Sequence, residues 1–502
     1  MTMVDLNEVL SLPWRPIYSQ VSAYEAGEAE TSLGKWALAA TVIFTVAVFL
    51  LEGILDRRQK RAYQTTQFPA ELAKTVSMID SEDSTSSDNA ANVAAAKDAG
   101  AGGGKKEIDT HKPILPQLKT KFAKSQAYGL DKVQFSIFSS SYEVLESISF
   151  LLLGFLPKAW DWSASIAESF DWNERDNEIK VTLIFLVVIT LVGTVTSLPF
   201  EVYSTFFIEK KHGFNKQTVS LFTMDKIKSL FLTFLIGGPF VAGLLKIIIW
   251  GGEHFYLYVW AFMFAFSVIM MTAYPVFIMP MFNKYEPLDD GDLKTRIYDL
   301  AGTLKYPLTN LFVMDGSKRS SHSNAFMFGF GKNKRIVLFD TLIDQVHDDE
   351  ILAILGHELG HWKLGHTLAN FVITQLYTGA AFYCFSLCYT SQDLYRAFGF
   401  DGEDRPIPII IALMLYFQTL WAPVDKVLSF VMTIFSRVNE FAADRFSAEL
   451  GMSSKLQSGL CKIHLENLGA MAPDRWYSKY HYSHPPLVER LSAMMAFDKK
   501  SK

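Results

Sequence analysis

Two histidines and a glutamate in one short stretch have the types and spacing to do chemistry. Ile354 to Lys363 reads ILGHELGHWK, which sets His357, Glu358 and His361 in an H-E-x-x-H arrangement. On a helix, residues four apart lie one above the other, so the imidazoles of His357 and His361 can converge on one metal ion. Glu358 then stands beside the first ligand, within reach of the water that such a site activates. The alternative, two surface histidines on an ordinary helix, is weighed against the preceding Asp348-Asp-Glu-Ile-Leu-Ala-Ile. An acidic first turn leading into an apolar run starts a helix, which is the backbone the motif needs.

Zinc in a hydrolase takes three protein ligands and leaves one position for water, so a third ligand is required. The best candidate is Glu440 in Asn439-Glu-Phe-Ala-Ala-Asp444. Glu440 and Asp444 share a helix face, so one can bind metal while the other hydrogen-bonds a ligand imidazole; Asn439 is placed with Asp444 in that supporting role. His366 competes as a ligand. Five residues beyond His361, a continuing helix would turn it about 140° off the ligand face, and it is left out.

These residues must be carried by a membrane protein. Half of the 502 residues are hydrophobic and 40 are Phe, and the apolar residues come in blocks. Spans are expected at Trp36 to Leu55 and at about 142–160, 181–200, 227–250, 255–278, 367–390 and 406–432, seven in all. The basic run Asp56-Arg-Arg-Gln-Lys-Arg61 follows the first span and marks the cytosolic side, with a luminal N-terminus and no cleavable signal peptide. Loop charges alternate accordingly, which puts the His helix and everything after about 433 in the cytosol. Glu52, Lys246, Gln418 and Asp425 fall within spans, where polar groups snorkel or line a wet interior.

The expected organisation is therefore 1–280 with five membrane helices, 281–366 as a cytosolic metalloprotease segment, 367–432 with two more, and 433–502 as its helical completion. Residues 81–106, with a Ser/Asp run followed by Ala and Gly, read as a disordered insert. Leu311 to Met314 reads as a strand. Ser323 to Phe330 and Arg335 to Phe339 flank a Gly/Asn turn and read as a hairpin, while Gly329 and Gly331 lack the spacing of a phosphate loop. Three cysteines give no disulfide framework, and a net charge of −5 gives no sign of a nucleic-acid partner.

The two metal motifs, Pro280-Met-Phe-Asn-Lys284 and His484-Pro-Pro-Leu-Val-Glu-Arg490 occur together in this order. In this the chain resembles the integral-membrane type I CAAX prenyl protease family. The resemblance implies a mainly α, polytopic protein whose seven helices enclose a chamber, with one zinc ion per chain at its cytosolic end. It makes His357, His361 and Glu440 the ligands and Glu358 the general base. His484 and Arg490 would steady the oxyanion or the substrate carboxylate, for which an imidazole and a guanidinium are suitable donors. Asn324, Ala325 and Phe326 match the strand that holds substrate in extended form, with a buried hairpin as the alternative.

The implied reaction is removal of the last three residues from a prenylated C-a-a-X protein at the lipid bilayer, with a second cut upstream of the cysteine also allowed. The implied location is the endoplasmic reticulum membrane, with the inner nuclear membrane as a further site. Lys499 and Lys500 form a dilysine retrieval pattern. Two other readings compete: a general membrane quality-control zinc protease, against which seven spans count, and a non-catalytic scaffold or transporter, against which the intact ligand set counts.

Overall fold

The computed structural model describes residues 32–81, 113–400 and 407–501. Residues 1–31 and the expected insert beyond residue 81 lie outside them. The long helices are α1 (Ser32–Tyr63), α2 (Ile114–Leu153), α3 (Glu178–Tyr203), α4 (Val219–Trp250), α5 (Phe255–Ala273), α8 (His366–Cys388) and α10 (Ala422–Glu449). Shorter ones are α6 (Asp292–Thr303), α7 (Asp348–Lys363), α9 (Ile409–Gln418), α11 (Ser453–Glu466), α12 (Arg475–His481) and α13 (Leu487–Ser501).

Among the described residues five helices are long and apolar enough to cross a membrane, and six if α9 and α10, bent by 56°, count as one span. The expected span at 142–160 is not among them. Helix α2 stops at Gly154, which takes a left-handed φ of 72°, and a new helix runs over Phe155–Glu168. With Glu143 and Glu146 on one side of that break, no uninterrupted apolar helix forms there. The run at 406–432 is also broken, because Thr419 to Trp421 separate α9 from α10, and α10 continues far past 432 to Glu449.

Polar groups inside the bundle meet one another, as burial in lipid requires. Glu52 of α1 pairs with Lys426 of α10. The Tyr377 hydroxyl donates to Asp425 Oδ1 at 2.7 Å and accepts from Trp421 Nε1 at 2.8 Å. These residues and Gln418 line a cavity of about 560 Å³ at the bend, so Glu52 faces the interior rather than snorkelling outward.

Four strands, β1 (Tyr285–Pro287), β2 (Leu308–Met314), β3 (Ala325–Phe330) and β4 (Asn333–Phe339), form one sheet in the order β1-β2-β4-β3. The β2–β4 pair is parallel and the other two are antiparallel. The expected hairpin is β3–β4. Its turn favours glycine, since Gly331 has a left-handed φ of 57°, and just before the turn Gly329 of β3 has φ 115° and a Cβ there would lie 2.0 Å from the Asn333 carbonyl oxygen. Strand β3 is an outer strand, with one edge unpaired among the described residues.

One apolar core joins this sheet to α7. Ile336 and Leu338 of β4, Ile351, Leu355 and Leu359 of α7, and Leu456 of α11 are buried together. Each such side chain removed from water contributes about 1.5–3 kcal/mol. The same core takes in Leu72 and Val76 from a helix over 70–81, and Leu118 and Phe122 from the start of α2. It therefore reaches past the boundary expected at 280. Asp80 ties these pieces together, its two carboxylate oxygens accepting the N–H groups of Ile114 at 2.7 Å and Leu115 at 3.0 Å.

Candidate metal centre

Helix α7 starts where the acidic run implied. The Glu350 carboxylate caps it by accepting the His347 N–H at 2.8 Å. Buried, that carboxylate also takes Ser458 Oγ at 2.5 Å and Lys462 Nζ at 2.6 Å, both on α11. A buried charge is tolerated when it is paired and hydrogen-bonded, so the N-terminus of the metal helix is fixed in place.

Close approach of α10 then brings Glu440, the candidate third ligand, in. Gly356 and Gly360 stand four apart on the face of α7 that meets α10. A Cβ at Gly360 would lie 3.0 Å from Phe446 Cδ1 and 3.4 Å from Ala443 Cα, and one at Gly356 would lie 3.2 Å from Ser447 Oγ. Ser447 Oγ donates to the Ala353 carbonyl at 3.0 Å across the same contact. Glycine in a helix interior costs about 1 kcal/mol; here it lets two backbones close on each other.

His357 Nε2, His361 Nε2 and a Glu440 oxygen consequently lie within 4.8 Å of one another. The imidazole nitrogens are 3.2 Å apart, and the Glu440 carboxylate closes the triangle with one oxygen toward each, Oε1 at 3.3 Å from His361 Nε2 and Oε2 at 3.5 Å from His357 Nε2. Ligands about 2.0–2.1 Å from a tetrahedral ion stand about 3.3–3.4 Å apart, so the triangle fits one. A second observation agrees. Glu440 Oε2 is buried without a hydrogen bond, although His484 Nδ1 stands 2.8 Å away.

Around the triangle, Asp444 Oδ1 lies 2.9 Å from His357 Nδ1 and fixes that ring with Nε2 toward the centre. Arg490 grips the same carboxylate with two bonds, Nη2 to Oδ1 at 2.6 Å and Nε to Oδ2 at 2.8 Å. Only Nη1, 3.7 Å from Glu440 Oε2, is left for another acceptor. The donor role expected of Arg490 thus falls to that one nitrogen. Burial works against charge on both His357 and Arg490, but Asp444 and Glu440 outweigh it and raise both pKa values.

His484 is 68% exposed at its side chain and stands over the centre. The loop carrying it is held by Arg437 of α10, whose Nη1 donates to the Tyr482 carbonyl at 3.4 Å while its Nη2 pairs with Glu489 of α13 at 2.7 Å. Asn439 is buried, but among the described residues no hydrogen bond joins it to either imidazole. Asn324 is exposed beside β3, and its carbonyl accepts the Phe339 N–H at 3.1 Å. Ala325 and Phe326 follow it in the ladder opposite Leu338 and Val337.

His366 is absent from the ligand triangle, yet its Nδ1 lies 3.0 Å from His361 Nδ1. The helical-wheel reading placed it elsewhere because α7 ends at Lys363. Gly365, at φ 76°, turns the chain, and His366 opens α8 pointing back. The Leu-Gly before it was the available signal. Glu350 was legible as part of the acidic first turn, but its pairing with α11 and the role of the two helix glycines carried no signal without knowledge of the partner helices.

Residues 108–284 match the family model described as the CAAX prenyl protease N-terminal region with five membrane helices, and 287–497 match peptidase family M48. The chain is 48% identical to the CAAX prenyl protease 1 homolog of Arabidopsis thaliana, over 78% of this chain and 92% of that one. To the Homo sapiens homolog it is 37% identical, over 91% and 94%. The crystal structure of S. mikatae Ste24p superposes with a TM-score of 0.77 at 35% identity, covering 91% of this chain and 98% of that one. Motifs, metal triangle and near full-length similarity agree: the chain belongs to the membrane-embedded CAAX prenyl protease family of M48 zinc metallopeptidases.

Proposed function

We propose that the chain is a zinc-dependent endopeptidase that removes the last three residues from proteins and peptides ending in C-a-a-X whose cysteine carries a prenyl chain. The observation that carries this is the triangle closed by distances of 3.2, 3.3 and 3.5 Å, with Glu358 next in sequence to its first corner. His357, His361 and Glu440 hold one zinc ion per chain, and Asp444 orients His357. Bound zinc supplies Lewis acidity, polarising a carbonyl and making water acidic enough to ionise near neutral pH. Glu358 takes the proton of the attacking water and passes it to the leaving amine. His484 and Arg490 Nη1 donate to the negative charge that develops on the carbonyl oxygen. The open edge of β3, from Asn324 through Ala325 and Phe326, holds the substrate as an added strand.

The relatives' name, CAAX prenyl protease 1, supports the substrate class. The basic cluster after α1 supports a site facing the cytosol, and exposed Lys499 and Lys500 near the end of α13 support retrieval to the endoplasmic reticulum. The segments 281–366 and 433–502 act as one metallopeptidase unit, set against membrane helices on both sides in sequence. The test is purified protein of measured zinc content, given matched prenylated and unprenylated C-a-a-X peptides. Release of a tripeptide from the prenylated one only is expected, and equal cutting of both would remove the substrate class from this reading.

A further inference from the structure

Strand β3 has one edge unpaired among the described residues, so neighbours on both sides do not fix its position. An edge that takes up an added strand must hold its N–H and C=O groups in place beforehand, because a strand ordered only on binding loses part of the binding free energy to its own entropy. What holds the start of β3 lies just upstream, at His322.

The run from Arg319 to Ser323, which leads into β3, is sewn to the connection between α3 and α4. The Lys216 N–H donates to the Arg319 carbonyl at 3.0 Å, the Ser321 N–H donates to the Phe214 carbonyl at 3.1 Å, and Asn215 faces Ser320 in an antiparallel bridge. Arg319 adds two bonds to the Asp225 carboxylate of α4, at 2.9 and 3.0 Å. His322 is the residue around which these ties meet. Its ring stacks on Phe214, with centroids 4.0 Å apart and planes 14° from parallel. Its Nε2 lies 3.5 Å from Glu209 Oε2, at the end of the short continuation of α3 over Ser204–Glu209. The same nitrogen is 3.4 Å from the Tyr128 hydroxyl of α2, which donates to Glu209 Oε1 at 2.7 Å. Its Nδ1 lies 3.3 Å from Asn467 Oδ1, just past α11, and that oxygen accepts the Ser323 N–H at 3.2 Å. The His322 N–H donates to Ser320 Oγ at 3.2 Å, and its carbonyl accepts Thr341 Oγ1 at 3.0 Å. Both ring nitrogens, the N–H and the carbonyl are thus committed within the chain, just ahead of Ala325, where β3 begins.

We propose that His322 is a positioning residue for peptide cleavage: wedged between Phe214, Glu209 and Asn467, it locks the start of β3 onto α2 and the end of the α3 span, so that the bundle sets the open edge before substrate arrives. The proposal rests on the peptidase and edge-strand readings above and adds to them the group that holds the strand. Among the described residues no hydrogen bond or ion pair joins His322 to the metal triangle. Its loss therefore loosens substrate binding and leaves the chemistry at the metal alone.

The experiment uses zinc-loaded, full-length protein and a farnesylated C-a-a-X peptide, with a set of copies each N-methylated at one peptide nitrogen other than that of the scissile bond. Wild type is expected to lose about tenfold in kcat/KM at the positions whose N–H groups bond to β3. His322→Ala is expected to raise KM for the unmethylated peptide about tenfold with kcat and zinc content held, and to shrink the methylation penalty at those positions to about threefold or less. Should that variant fail to fold, Phe214→Leu removes the stack through a buried side chain that cannot reach substrate, and KM should rise with kcat held there too. A folded His322→Ala protein with the KM of wild type, or one that loses kcat or zinc instead, would overturn the proposal and leave the earlier readings in place. If wild type cuts every methylated copy as fast as the parent, the edge-strand reading fails and the proposal with it. Zinc-loaded wild type that does not cut the parent peptide would overturn the peptidase reading itself.

Discussion

His366 Nδ1 lies 3.0 Å from His361 Nδ1, so one imidazole of the triangle is oriented by a histidine on the next helix rather than by a carboxylate. The other, His357, has Asp444 in that place. Removing the partner of a ligand imidazole typically costs about 10–100-fold in metal affinity. His366→Ala should therefore hold zinc more weakly by about that factor in a chelator competition, with the fold intact by circular dichroism. Unchanged affinity would show that His361 is oriented by packing alone.

Glu358→Gln keeps the three corners of the triangle and removes the proposed base. It should bind zinc normally and lose at least about 100-fold in kcat. Near wild-type turnover in that variant would exclude Glu358 from proton transfer.

Gly360→Leu replaces the open contact between α7 and α10 with a side chain that has nowhere to go, since even a Cβ would lie 3.0 Å from Phe446 Cδ1. Overpacking costs about 1–3 kcal/mol, against about 1 kcal/mol gained in helix propensity. Lower thermal stability and loss of zinc together are expected, because Glu440 is pushed away from the imidazoles. Gly302→Ala is the control, as nothing lies within 4 Å of a Cβ there.

Acid should destabilise the C-terminal helical part through His464. Burial pushes this imidazole down to about 4, against some support from the backbone of Gly469 and Ala470, and its Nε2 has no partner. In the unfolded chain it titrates at its ordinary value of 6.5. The unfolded state thus takes up the proton first, and stability falls as pH drops from about 6.5 toward 4, by about 2 kcal/mol at pH 5. His464→Gln should show a smaller difference in thermal midpoint between pH 7 and pH 5; an identical difference would mean that other groups set the acid sensitivity.

Removing residues 83–106 should leave zinc content and turnover essentially unchanged. Asp80 already holds the Ile114 and Leu115 N–H groups, so the ends flanking this stretch are anchored to each other without it. Shortening a loop between fixed ends changes closure entropy by little. A marked loss of turnover would assign the stretch a working part.

The pairing of His357 with His361 was legible in the sequence because residues four apart share a helix face, and that period survives in the order of residues; Glu440, on another helix, was reached only through its own downstream motif. The hairpin was legible for a like reason, its turn favouring glycine. Arg490 and Asp444, 46 positions apart in the chain, meet only through tertiary packing. Their pair of hydrogen bonds, which leaves Arg490 a single free nitrogen, could not be read ahead. The breaks at Gly154 and at Thr419 to Trp421 escaped because a hydropathy window averages over them. His366 escaped because a helical wheel assumes that the helix continues.

Helix α10 is unbroken from the bend at Trp421 to Glu449 and carries both Asp425, in the intramembrane cavity, and Glu440, at the metal triangle. Fifteen helical residues make a rigid arm of about 22 Å. A tilt of about 5° at the bend swings its far end by about 2 Å, comparable to a whole metal–ligand bond. Glu440 is therefore positioned from two directions, by the bend within the bundle at one end of α10 and by the close contact with α7 further along it.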